Sequence, residues 1–527
     1  MRTIDSSRNP RQALAETSST RRAAVLILAI LALPRVLRMV WPQVWIEDES
    51  YLNGAFLLAT GHAPYTGFPL PHFPLLEGSL AALLEIFPTA IRTAEAFTAA
   101  AAWVSSIFVW RIGRRLGGEV CGVAAALIFA TSPLLFRYHV FEREVFLVVP
   151  VLAASWLVLR WPGTGERTET RTIVIAGVLL AIAMAIKLTA ASYVAALFLF
   201  ILLVNRQRDR AVVFLGTVVV VMGISTGALW ALFGTPFLVQ VVLFRLVHAG
   251  FHSLTGQFHE WLGSLDVELA AGAAGFALVL WQHRLRRWAL PLLHLAFGFV
   301  LLVVLNPTFW AHDSIELLPW LALLGGVLVA DLAMAFGRHT RDAPSRPAAV
   351  AALVGAVLLF VIVVPLPHAN WGPGAGSGFG FGYRDRAEID RVAAYVRSKT
   401  APGALVAMPP ILAFQANRPE LITYPELAGT MMTLGREVKA KGFATTLKTS
   451  EVGQRMFWDE VAASRDVWLP DLAEAIQARR LGAVINFSPA DLFPVPLIDV
   501  PDQALRAAGY VPGLVTEHYT VWTVGGS

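Results

Sequence analysis

The sequence has a single cysteine, Cys121, among 527 residues, and it lies in an apolar run. A fold stapled by disulfides within the chain is therefore excluded. Charge is also scarce: 15% of residues are charged against 56% hydrophobic, where a soluble domain carries about a quarter charged. That composition excludes an ordinary soluble globular chain. The sequence holds no Gly-x-x-x-x-Gly-Lys loop, no Gly-x-Gly-x-x-Gly after a strand, no His-Glu-x-x-His and no Cys/His zinc pattern. Nucleotide-loop, dinucleotide and zinc-peptidase chemistries thus lack their carriers. Internal repeats are missing as well, which tells against the two-fold architecture common in secondary transporters.

What is present is a series of apolar runs of roughly 17–22 residues, enough as helices to cross about 30 Å of hydrocarbon. Eleven spans are expected, near 23–41, 93–110, 119–136, 145–160, 172–186, 188–204, 211–233, 266–282, 288–305, 314–334 and 348–366. The first 22 residues are polar and basic. With no small-residue cleavage site after the first run, it reads as a retained span. Every even-numbered span exit is basic, with Arg111, Arg114 and Arg115 after the second and Arg206, Arg208 and Arg210 after the sixth. The positive-inside bias then places the N-terminus in the cytoplasm and the C-terminal segment outside. The net charge of +5 is spent in these short loops, not in a patch that would grip nucleic acid. The expected organisation is a cytoplasmic segment 1–22, a transmembrane region 23–370 with long outer loops 42–92 and 234–265, a Gly/Pro-rich linker 371–383, and an extracytoplasmic α/β domain 384–527. In that last part, Ile389, Val392, Ala393 and Val396 fall on one helical face of Asp385–Lys399. Leu405–Met408 and Val484–Phe487 read as short strands, Asp471–Arg480 as a helix, and Val515–Val524 as a final strand.

Chemistry-bearing residues gather on the expected outer side. Glu47, Asp48 and Glu49 stand directly after the first span. A carboxylate there can take a proton from an attacking hydroxyl or ligate a hard cation. The loop continues through Tyr51, Gly61-His-Ala-Pro-Tyr65 and Leu70-Pro-His72-Phe-Pro-Leu. Arg137, Glu142, Arg143 and Glu144 crowd the turn between the third and fourth spans, and Lys187 interrupts a long uncharged stretch. Charges at membrane depth mark polar clefts or ion pairs. Arg245 and His248 in the second long outer loop add cationic groups, and His312 stands before the tenth span.

The acidic pair after the first span, followed by an aromatic, a Gly-x-x-Pro-Tyr and an x-x-Pro-Leu segment, resembles the GT-C glycosyltransferases. The resemblance is to the branch of the protein O-mannosyltransferases and lipid A aminoarabinose transferases, and it runs in order over roughly residues 24–366. It implies a multi-span helical fold and transfer of a sugar from a polyprenyl-phosphate donor, with inversion, to a protein, lipid or polysaccharide acceptor at the outer face of the cell (inner) membrane. By the same resemblance Asp48 is the catalytic base with Glu49 beside it. Glu142 or Glu144 is the second acidic residue, beside Arg143. Arg137, Lys187, Arg245 and His248 bind donor phosphate, and Tyr51, Tyr65, His72 and His312 contact donor or acceptor. A divalent cation, Mg or Mn, held by Asp48 and Glu144, is left open. The sequence departs from the aminoarabinose transferases at His72, where they tend to carry lysine, and Asp313 follows His312 where relatives carry tyrosine. The Trp-Trp-Asp-Tyr-Gly element of oligosaccharyltransferases is missing. The alternative from another class is a transporter or flippase for an anionic lipid or metabolite, with Lys187 as a pathway residue.

Overall fold

The computed structural model describes residues 10–46, 50–159, 169–247, 265–305, 311–339, 382–422, 425–450, 452, 457–487 and 500–525. The membrane region consists of α1 (Pro10–Met39), α4 (Ile91–Gly117), α5 (Glu119–Ala130), α6 (Pro133–Arg137), α7 (Arg143–Leu159), α8 (Thr170–Ile186), α9 (Leu188–Val204), α10 (Arg208–Phe233), α11 (Thr235–Val247), α12 (Asp266–Trp281), α13 (Leu285–Phe299) and α14 (Leu318–His339). Among the described residues, four helices are long and apolar enough to cross a membrane, including α4, α10 and α14. The ten expected spans that fall on described residues all contain helix, although 119–136 is two helices, α5 and α6, parted at Thr131 and Ser132. The eleventh, 348–366, lies outside the described residues.

Packing sorts these helices. The most apolar window of α14 is 61% buried, whereas that of α10 is 11% buried. The first is the centre of the bundle; the second presents Val219, Val220, Ile224 and Trp230 outward, as a lipid-facing helix does. Because lipid tails offer helices no hydrophobic incentive to associate, close packing of small residues has to hold the bundle. A Cβ added at Gly113 of α4 would lie 2.9 Å from the Gly122 Cα of α5, and one at Gly326 of α14 would lie 2.6 Å from the Cys121 carbonyl oxygen. Glycine at these positions lets the backbones touch. The reversal between α4 and α5 turns on Gly118, at φ 93°, a conformation that L side chains resist.

The stretch 42–92, expected to be an outer loop, is not a plain loop. It contains β1 (Gln43–Ile46), α2 (Ser50–Ala59) and α3 (Leu75–Leu84). The C-terminal part holds a four-stranded sheet of β3 (Leu405–Ala407), β4 (Leu481–Phe487), β5 (Tyr510–Val515) and β6 (Tyr519–Val524), in the order β3-β4-β6-β5. β3 and β4 run parallel; the other neighbours are antiparallel. Around it lie α15 (Arg386–Lys399), α16 (Pro410–Ala416), α17 (Pro425–Lys441), α18 (Phe443–Thr449), α19 (Phe457–Gln477) and α20 (Asp502–Ala507). Asp385 caps α15, its side chain accepting from the Ala387 N–H at 3.0 Å. Ile389, Val392, Ala393 and Val396 are fully buried, as their helical spacing predicts. Two expectations need correction. The final strand read as Val515–Val524 begins only at Tyr519: Val515 ends β5, and the turn between them is closed by Thr516 N donating to Tyr519 O at 2.8 Å and Tyr519 N donating to Thr516 Oγ1 at 3.1 Å. The linker read as 371–383 ends inside β2 (Gly382–Asp385), which pairs antiparallel with β1.

Candidate functional site

At the junction of α8 and α9 the chain is extended at Lys187 (φ −153°, ψ 129°). Its ammonium bonds Glu144 in the first turn of α7 and Asp313 in the 3-10 turn Ala311–Glu316, and lies 3.3 Å from Glu316 Oε1. In a 3-10 turn, residues three apart eclipse, so Asp313 and Glu316 face the same way. Glu316 is further held by Thr189, whose hydroxyl donates to Oε1 at 2.8 Å. Its carbonyl accepts from the Tyr193 hydroxyl, also at 2.8 Å. Three buried carboxylates around one ammonium leave an excess of negative charge. Such an assembly is stable only when every member keeps its partner, because taking charge out of water is costly.

Beside this cluster sits a second one. Arg143, 1% exposed, donates from Nη2 to Glu77 Oε1 of α3 at 2.6 Å. Its guanidinium also stacks 3.8 Å above the Tyr51 ring. Tyr51 in turn meets His72 edge-on at 5.9 Å between ring centroids. Arg245 of α11 brings Nη2 to 2.9 Å from the His72 ring nitrogens. Gln240 fixes this loop by accepting from Leu70 N at 2.7 Å and donating to Tyr65 O at 2.8 Å. The Tyr65 hydroxyl donates to His72 O at 2.6 Å.

Burial, together with the cations Arg143, Arg245 and Lys187, holds His72 neutral, well below the usual histidine range. The unfolded chain binds a proton at His72 below about pH 6.5, whereas the folded chain does not. The wild type should therefore lose stability relative to His72→Gln as pH falls from about 7.5 to 5.5. Thermal melts in detergent across that range measure the difference. A difference that is flat with pH would contradict a neutral His72.

The turn that delivers Glu142, Arg143 and Glu144 is braced by α1. Arg35 donates to the carbonyls of Ala130 and Leu135, and Arg38 Nε donates to Phe136 O at 2.7 Å. These are end carbonyls of α5 and α6, which have no partner inside their own helices. Arg137 lies over the Tyr138 ring at 5.1 Å, and Tyr138 meets His312 edge-on at 5.6 Å. Among the described residues, ligand atoms close enough to share a metal ion occur in two sets, Glu142–Glu144–His312 and Glu144–Asp313–Glu316. The second is all carboxylate and suits a hard divalent cation, while the first adds an imidazole. In the second set the Lys187 ammonium already sits on those oxygens, so a metal would have to compete with it.

The structure thus brings Glu142, Glu144, Lys187 and His312 into one cluster, and Tyr51, His72, Arg143 and Arg245 into its neighbour. Tyr65 lies under the second, while Asp48, Glu49 and His248 lie outside the described residues. Sequence reasoning missed Glu77, Asp313 and Glu316 as members. The signal was present: Glu77 is a lone acid in an apolar stretch, and Asp313 and Glu316 stand three apart directly before an apolar run.

Residues 72–230 match the family model described as dolichyl-phosphate-mannose-protein mannosyltransferase. The fold is similar to that of ArnT from Cupriavidus metallidurans bound to undecaprenyl phosphate, with TM-score 0.64 and 13% identity over 95% of this chain and 98% of that one. For ArnT in the apo state the values are 0.61 and 14%, over 97% of this chain and 100% of that one. It is also similar to the oligosaccharyltransferase AglB from Archaeoglobus fulgidus in complex with an inhibitory peptide and a dolichol-phosphate, at 0.50 and 13%, over 90% and 74% of the two chains. A search of the curated proteins gives no match. The resemblance to GT-C glycosyltransferases read from the first outer loop is therefore matched by a family model and by the fold.

Proposed function

We propose that this chain is an inverting membrane glycosyltransferase that moves a sugar from a polyprenyl-phosphate donor to an acceptor at the outer face of the cell (inner) membrane. One observation carries the reading. The segment that matches the mannosyltransferase family model, 72–230, contains His72, Glu77, Glu142, Arg143, Glu144 and Lys187. The fold gathers these residues into the two clusters, which Tyr51, Arg245, His312, Asp313 and Glu316 complete from outside that segment. The fold shared with ArnT, itself solved with undecaprenyl phosphate, supports a donor of that chemical class.

In this reading Asp48 accepts the proton of the acceptor hydroxyl as its oxygen attacks the anomeric carbon. The bond from that carbon to the phosphate oxygen breaks, and the phosphate leaves with the electron pair. Arg245, with Arg143 behind His72, stabilises the growing phosphate charge. Lys187, bound to three carboxylates, serves less as a phosphate ligand than as the centre that keeps Glu144, Asp313 and Glu316 together. A divalent cation, where one binds, would neutralise phosphate charge from those same carboxylates. The N-terminus lies in the cytoplasm, and the part from 384 to 527 lies outside, above the clusters.

The test is transfer in liposomes containing the purified protein and polyprenyl phosphates carrying radiolabelled sugars. Label should move from the lipid to an added acceptor extract. Lipid crossing the bilayer with no transfer from any donor would favour the flippase instead.

A further inference from the structure

The loop that carries His72 is wound tightly and held by a side chain from another element. Gly67 N donates to Ala63 O at 2.8 Å, and a Cβ at Gly67 would lie 2.9 Å from that same oxygen. Gly61 stands at φ 87° and Tyr65 at φ 66°. An aromatic residue in that left-handed region is a genuine outlier, and it persists only where its surroundings over-determine it. Gln240 supplies the constraint. Its carboxamide donates to Tyr65 O at 2.8 Å and accepts from Leu70 N at 2.7 Å, so it spans the two arms of the turn as a neighbouring strand would. The Tyr65 hydroxyl then donates to His72 O at 2.6 Å, beyond the second arm. Gln240, Tyr65 and His72 are all more than nine-tenths buried.

Gln240 comes from α11, the same helix that carries Arg245. In an α-helix, residues five apart point about 140° away from each other. Leu238–Leu243 is instead π-helical, each hydrogen bond spanning one more residue, and Gln240 and Arg245 both reach the loop 65–72. Arg245 is exposed while the His72 ring against it is buried, so the guanidinium is the part of the pair that a ligand meets first. Apolar contact also presses this loop inward: Tyr65, Phe68 and Phe73 share a core with Phe237 of α11 and Leu434 of α17. That attraction is non-directional. A hydrogen bond weakens steeply off its axis, so a carboxamide bonded at both ends sets the angle between loop and helix.

We infer that Gln240 is a positioning residue: with Tyr65 as its second arm, it holds His72 against Arg245 and so aims the cation that meets the donor phosphate. The inference rests on the reading of Arg245, proposed above, as the group facing that phosphate. When the bond to the anomeric carbon breaks, the phosphate changes from a diester with one negative charge to a monoester with up to two. A guanidinium held ready gains most from that added charge, because no binding energy goes into ordering it. The effect of Gln240 therefore passes through Arg245, and it falls on the leaving polyprenyl phosphate more than on the donor.

The test is equilibrium binding of a fluorescent polyprenyl phosphate to the full-length protein in detergent, read as a double-mutant cycle. Arg245→Gln should weaken binding about 30-fold through loss of a charge-assisted contact. Gln240→Met, which keeps the volume and removes both hydrogen bonds, should weaken it about 10-fold, and Tyr65→Phe about fivefold. In the Arg245→Gln background, each of the two should change binding less than about twofold. In the transfer assay, Gln240→Met should lower kcat about 10-fold and move KM for the donor less than about threefold. Where Gln240→Met does not fold, Tyr65→Phe carries the same cycle, since it removes one hydroxyl and keeps the ring. Losses of equal size with and without Arg245 would make Gln240 a merely structural residue and overturn the inference. So would wild-type binding in both Gln240→Met and Tyr65→Phe. Wild-type binding in Arg245→Gln would instead remove the phosphate contact on which the inference depends, and the inference with it.

Discussion

Replacing Lys187 by methionine is expected to destabilise the protein by about 3 kcal/mol and to abolish transfer to within background, about a 10³-fold loss. Methionine keeps an unbranched chain as far as the ε carbon, with sulfur at δ, and carries no ammonium. Glu144, Asp313 and Glu316 then face one another across distances at which their oxygens could share an ion. In a low-dielectric surrounding that repulsion is severe, and removing one member of a buried ionic set costs more than the set contributed. The loss has a specific remedy. Mn²⁺ or Mg²⁺ should raise the melting temperature of Lys187→Met and leave the wild type almost unmoved, because the ion can take the place the ammonium vacated. Thermal melts with and without the metal separate the cases. Equal stabilisation of both proteins would mean that the ion binds elsewhere, and a fully stable, active Lys187→Met would show that the three carboxylates do not depend on the lysine.

Asp48→Asn is the second large effect. Asparagine is nearly isosteric and keeps an acceptor oxygen, but it cannot take a proton. A positioned base contributes about 10²–10⁴ in rate, so kcat should fall by about that factor while donor binding is retained. Equilibrium binding of a fluorescent polyprenyl phosphate, beside the transfer rate, checks the split. Loss of binding together with rate would make Asp48 a binding residue. The same measurement on Glu49→Gln shows which neighbouring acid does the chemistry: a drop of only a few-fold there is expected.

The membrane class, the helices and their order were legible in the sequence because lipid imposes one rule on every span: about twenty apolar residues with the backbone bonded inside the segment. Lys187 was legible for the same reason, since a charge inside an apolar stretch is conspicuous. Its partners were not. Glu144, Asp313 and Glu316 lie 43, 126 and 129 positions away from Lys187 along the chain, and which of many acids meets a given lysine depends on how helices pack. The open choice between Glu142 and Glu144 shows this well. The spacing fits each imperfectly and cannot say that Glu144, in the first turn of α7, bonds the Lys187 ammonium. Arg143 was expected beside the second acidic residue, but its contacts with Glu77 and Tyr51, 66 and 92 positions away, were not legible.

The sequence also determined the α15 face and the gathering of charged residues between apolar runs, because helical periodicity and loop charge are local properties. Tertiary structure alone decided that β1 would find β2 across 340 residues, that Glu95 would receive both Arg386 and His139, and that Asn53 would meet Glu420. Such contacts leave no periodic trace, since a hydrogen bond or ion pair needs only two groups brought within about 3 Å, whatever the length of chain between them.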